Sequence, residues 1–172
     1  MRYSYPRTVT ARNTQRETPP IPTLYLKKAW REIWSETLGE LHFNQIPAGF
    51  EVGVMLVDSA RMAEVNLSYL NHSGPTDVIT FSGDVDFVDP DEDIVVSEWI
   101  VCGDIFICPQ VAMEQSKMFG SHWIEELVRY GIHGWLHLLG YDDLSPGPKK
   151  IMKKLEDQLT ARALEKYPIP KD

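Results

Sequence analysis

Along residues 23–39, TLYLKKAWREIWSETLG, apolar positions recur every three or four residues: Leu26, Trp30, Ile33, Trp34 and Leu38, with Thr37 among them. That spacing predicts an amphipathic helix, with Thr23 as its N-cap and Gly39 as its stop. FEVGVMLV, residues 50–57, is apolar throughout most of its length and predicts a buried strand. Helical spacing returns from Ser59 to Leu70, where Met62, Val65, Asn66 and Tyr69 form one stripe; the turn residues Asn71–Pro75 end it. TDVITFS, residues 76–82, is β-branched and aromatic and predicts a strand, and Ser97–Ile107 predicts another. Pro109 suits a first helical turn and opens a helix to about Lys117. Gly120-Ser121 separates it from a helix over 122–139, and Ser145-Pro146 opens a last helix to about Lys166. Residues 1–22, polar and interrupted by Pro19, Pro20 and Pro22, predict a short edge strand at most, then a loop. Residues 83–98 hold seven acids and predict a long polar loop. The expected fold is α+β: one domain over 1–172, with a small four-stranded mixed sheet packed by about five helices.

Composition narrows the setting. With 172 residues, 43% of them hydrophobic, the chain can bury one substantial core. It contains no apolar run of ~20 residues, so no transmembrane helix is expected. The N-terminal segment lacks an apolar stretch of the secretory kind. Cys102 and Cys108 flank an extended segment that would hold them roughly 20 Å apart, beyond disulfide reach. A reduced, cytoplasmic location is the expectation. The net charge of −8 argues against broad, nonspecific nucleic-acid binding. Its distribution says more. No Lys or Arg lies between Arg61 and Lys117, whereas cations gather in the first 31 residues and again at Lys149, Lys150, Lys153 and Lys154. A polyanion would be held from those ends.

The candidate chemistry lies in HGWLHLLGYDD, residues 133–143. His133 and His137, four apart on a helix, share a face and sit about one turn apart, roughly 6 Å along the axis, so both imidazoles can reach one metal ion. Gly140 suits a left-handed helix stop, and the reversal brings Asp143 toward the same ion. Two histidines and one carboxylate leave a fourth tetrahedral position for water, the arrangement of a catalytic zinc site. Zinc peptidases of the HExxH type carry a glutamate base directly after the first histidine; here that residue is Gly134.

These motifs, with NLSYLNHSGPTDVITF (66–81) and GDIFIC (103–108) upstream, resemble the YbeY family of metal-dependent endoribonucleases over roughly residues 45–160. The resemblance implies one zinc ion per chain, held at the end of a central helix by His133, His137 and Asp143, with His133 and His137 as catalytic residues. It also implies cleavage of single-stranded RNA, maturation of the small-subunit rRNA 3′ end and ribosome quality control. The expected partners are therefore rRNA and small-subunit assembly intermediates, with no membrane. Thr76, Asp77 and His72 are candidates for the substrate groove. Two positions depart from the family pattern: Asp143 stands where the third ligand is usually histidine, and Leu70 where many members carry an arginine. The competing readings are a zinc peptidase or amidase sharing the metal motif, and a non-catalytic ribosome-assembly factor with a structural metal. Asp104 is left open between a hydrogen-bond acceptor for a ligand histidine and a loop cap.

Overall fold

The computed structural model describes residues 6–40, 48–83 and 100–171. In chain order the elements are β1 (Arg7–Asn13), α1 (Thr23–Glu40), β2 (Gly49–Leu56), α2 (Ser59–Val65), a π-helical turn (Asn66–Leu70), β3 (Val78–Gly83), β4 (Ile100–Ile107), α3 (Pro109–Phe119), α4 (Trp123–Leu138) and α5 (Pro146–Lys166). The four strands form one mixed sheet in the order β1-β2-β4-β3. β1 and β4 run parallel to β2, and β3 pairs antiparallel with β4. Among the described residues this is the α+β architecture expected, with five helices around a four-stranded sheet. Residues 84–98 of the expected acidic loop, and the expected start of β4 at Ser97, lie outside the described residues.

The two faces of the sheet differ. Phe50, Val52, Val54 and Leu56 of β2 and Val101, Ile105 and Ile107 of β4 are buried on one face. Glu51 is exposed on the other, so the run that reads as a fully buried strand is in fact half-buried, with a period of two. The helices α1 and α4 cover the buried face. Trp34 and Trp135 stack there with centroids 5.1 Å apart, and the edge of Phe50 meets both rings. Trp135 Nε1 donates to Thr37 Oγ1 at 2.9 Å, and Trp30 Nε1 donates to the Val128 carbonyl at 3.2 Å, so these buried indoles keep their hydrogen bonds. A smaller cluster of Val57, Met62, Val65, Ile79 and Cys108 lies under α2, against Met55 and Phe106.

Two residues of α4 lack side chains where its neighbours press against it. A Cβ at Gly131 would collide with the Trp30 indole, and one at Gly134 would lie 2.7 Å from Ile105 Cγ2 and 2.9 Å from Thr80 Oγ1. These contacts fix the rotation of α4, and with it the direction in which His133 and His137 point.

The helix expected over Ser59–Leu70 is α-helical only to Val65. In the following π-helical turn each residue advances through a smaller angle, so the predicted stripe falls out of phase. Met62, Val65 and Asn66 are buried, but Tyr69 is 68% exposed and rests its ring on Phe81, 4.8 Å away. Asn71 ends the turn in the left-handed region (φ 57°), and Asn66 Nδ2 ties it down by donating to the Gly74 carbonyl at 2.8 Å.

Candidate metal centre

α4 ends in a Schellman motif: the Tyr141 N–H bonds the Leu136 carbonyl at 3.0 Å, and the Gly140 N–H bonds the His137 carbonyl at 2.9 Å. The motif requires a left-handed residue, and Gly140 supplies it with φ 86°. The chain turns back across the end of its own helix, and two things follow. The Tyr141 carbonyl meets His137 Nδ1 at 3.0 Å, and Asp143 arrives beside both imidazoles. Its oxygens lie 3.9 Å from His133 Nε2 and 3.8 Å from His137 Nε2, while the two Nε2 atoms are 3.0 Å apart.

The hydrogen bonds determine what these atoms present. A carbonyl only accepts, so His137 Nδ1 carries the proton and its Nε2 offers a lone pair. His133 Nδ1 bonds the Glu156 carboxylate at 2.8 Å, which assigns His133 the same tautomer. Burial, then the neighbouring His133, push the His137 pKa below its ordinary value, outweighing the opposing Tyr141 carbonyl and Asp143; this favours the neutral ring. Two lone pairs and a carboxylate therefore converge on one point. Such a set repels itself unless a cation lies between its members. Tetrahedral zinc with bonds of ~2.0–2.1 Å keeps ligand atoms roughly 3.3 Å apart, and the observed separations bracket that value. His133, His137 and Asp143 thus fit a single ion.

Sequence reasoning did not find Glu156. It is 7% exposed on α5, and its carboxylate also accepts from Arg129 at 3.1 Å and Lys153 at 3.0 Å. Burial alone would raise its pKa, but the bonds from His133, Lys153 and Arg129 overcome that and hold it at about 2. The readable signal was an acid on an apolar stripe, with Met152, Leu159 and Ala163 the buried neighbours at helical spacing. Asp104, the acceptor considered instead, is exposed on the sheet face opposite α4, where a Cβ on Gly53 would strike it. Arg129 stands 3.9 Å from Glu125, one turn before it on α4, and binds Glu156 and Asp157 more closely.

A cleft of about 540 Å³ opens beside His133, between α3, α4 and α5. Asp77 is among its lining residues, and its Oδ1 also accepts from Thr76 Oγ1 at 3.0 Å and from the Val78 N–H at 2.8 Å. His72 lies exposed in the turn before β3. Leu70 is 48% exposed.

Fold and site together define an α+β protein in which two histidines and one carboxylate could hold a metal ion. A family model described as Endoribonuclease YbeY matches residues 11–163. The chain is 39% identical over 118 residues to Endoribonuclease YbeY of Thermobifida fusca, covering 67% of this chain and 75% of that one. It is also 39% identical over 127 residues to the protein of the same name from Salinispora tropica, covering 72% and 79%. The solution structure of TM1509 from Thermotoga maritima shares the fold, with a TM-score of 0.58 at 23% identity, covering 93% of this chain and 91% of that one. The chain belongs to the Endoribonuclease YbeY family.

Proposed function

We propose that this chain is a zinc-dependent endoribonuclease specific for single-stranded RNA. Its place would be the maturation of the small-subunit rRNA 3′ end and ribosome quality control in the cytoplasm, with residues 1–172 acting as one domain. Family membership supports the reaction class. The observation that carries the metal is the pair of Nε2 lone pairs 3.0 Å apart facing the Asp143 carboxylate. When bound, the ion supplies Lewis-acid polarisation of the scissile phosphate and activation of water. His133, His137 and Asp143 would hold it, and Glu156 and the Tyr141 carbonyl hold the two rings in the required tautomer. On this reading the RNA strand passes the turn that carries His72, Thr76 and Asp77. Among the described residues no helix is long and apolar enough to cross a membrane. Gly134 counts against a peptidase reading, because it supplies no carboxylate base beside His133, and a Cβ there would already meet Ile105 and Thr80.

The test is cleavage of short unstructured RNA by purified protein with and without chelator, beside His137→Ala. Cleavage should vanish with chelator, return with zinc and be absent in the variant. Metal analysis should find one zinc per chain in the wild type and little in His133→Ala. Chelator-resistant cleavage, or equal zinc in both proteins, would sink the assignment. Accumulation of 3′-extended small-subunit rRNA on depletion would support the proposed pathway.

A further inference from the structure

The cleft beside His133 has a composition that metal holding does not account for. Its rim carries Phe119, the last residue of α3, which is 71% exposed; among the described residues no other ring contacts it. The place of Phe119 at the mouth of a polar cleft presents a ring face on which a planar group entering that cleft can stack. Deeper in, Tyr130 is buried and donates from its hydroxyl to Gln115 Oε1 at 2.7 Å. That bond occupies the Gln115 oxygen and leaves the amide nitrogen as the donor.

Charge decides what can enter. The lining contains the cations Arg129 and Lys153, and both are already engaged: Arg129 with Glu156 and Asp157, and Lys153 with the same two acids. Against them the lining sets Asp77, Glu125, Glu126 and Glu156. A phosphate has no unspent cation to meet there and four carboxylates to avoid. A neutral, flat group with N–H donors on its edge suits the same walls.

We propose that this cleft is a subsite for one unpaired nucleobase of the RNA strand, adjacent to the scissile phosphate. Phe119 stacks on the base, the Gln115 amide donates to a ring nitrogen or carbonyl of its edge, and Asp77 or Glu125 accepts from an exocyclic amino group. Bases with an amino group are favoured over uracil. The subsite deepens the endoribonuclease reading and rests on it for the strand's identity. It also gives single-strand specificity a cause, because a base paired in a duplex cannot leave its stack to enter the cleft. Phe119, Gln115, Asp77 and Glu125 would act by positioning the strand.

The test uses the full chain and a short unstructured RNA with 2-aminopurine placed in turn at each position. Fluorescence is followed by stopped flow before the strand is cut, and KM and kcat are measured separately. One position should quench strongly with wild type. In Phe119→Ala that quenching should disappear and KM should rise roughly five- to a hundredfold, the scale of one lost base–aromatic stack, with kcat little changed. Phe119→Tyr should restore both. Because the ring is exposed, the alanine variant should fold normally. Equal quenching and equal KM in wild type and Phe119→Ala would overturn the subsite while leaving the nuclease reading intact, and would leave the ring to a protein contact. Phe119-dependent quenching of an RNA that is never cut would support the subsite and sink the nuclease reading.

Discussion

At the scale of single residues, Glu156 is the member of the centre that organises the others. Its carboxylate accepts a hydrogen bond from His133 Nδ1 and is itself held by Arg129 and Lys153, so three side chains fix one imidazole. Removing the acceptor in Glu156→Ala should weaken zinc binding by ~10–100-fold, as measured by competition with a coloured chelator, and Glu156→Gln should fall in between. The same group gives a sign to acid stability. Its pKa is lowered to about 2 from an ordinary 4.5, so its pairing stabilises the fold fully above ~4.5 and is lost as pH falls toward 2. Melting temperature against pH, measured with chelator present, should therefore lose part of its acid slope in Glu156→Gln. Leu70 carries a different prediction. It is 48% exposed at the end of the π-helical turn, so an arginine there need not bury its charge. Leu70→Arg should keep the melting temperature and raise cleavage by about tenfold, less than a fully pre-organised donor achieves. An unchanged rate would show that the position does not reach the phosphate.

At the scale of elements, the centre depends on the rotation of α4, and that rotation depends on two missing side chains. Gly131 lies against the Trp30 indole and Gly134 against Ile105 and Thr80. Trp30 cannot withdraw easily, since it is fully buried and stacked against Trp34. Gly131→Ala should therefore cost about 1–3 kcal/mol through overpacking, although alanine is the better helix former. Calorimetry would register this as a drop of roughly 2–4 °C for each kcal/mol in a domain of this size. A stabilised variant would show that the α1–α4 contact is looser than described. The Schellman stop matters as much, because a helix continued past Leu139 would carry Asp143 away from the imidazoles rather than back to them.

At the scale of the whole molecule, charge is divided by position. The four lysines near the start of α5 are all exposed, but they are not equivalent: Lys153 bonds Glu156 at 3.0 Å and Asp157 at 2.8 Å. Reversing Lys153 would disturb the clasp on His133 and confuse two effects. Reversing Lys149, Lys150 and Lys154 instead should weaken RNA binding and flatten its salt dependence by up to about three released counterions, with zinc content unchanged. Equal affinity and salt slope would mean that this face is only solvated.

What could be read from the chain alone was local. Helical spacing located α1, and Pro109, Gly140 and Ser145-Pro146 marked the start of α3, the stop of α4 and the start of α5, because caps and stops are decided by backbone geometry within one turn. His133, His137 and Asp143 were legible for the same reason: eleven residues and one helix stop bring them together. Three things waited for the tertiary structure. The phase of Tyr69 changed because a π-helical turn depends on how Asn66 and Asn71 are tied to the turn that follows. The split of β2 into a fully buried and a partly exposed face depended on which face α1 and α4 cover. The clasp by Glu156 joins positions 23 residues apart on separate helices. A spacing pattern records which residues share a helix face, but which face meets which neighbour is decided only when the helices pack.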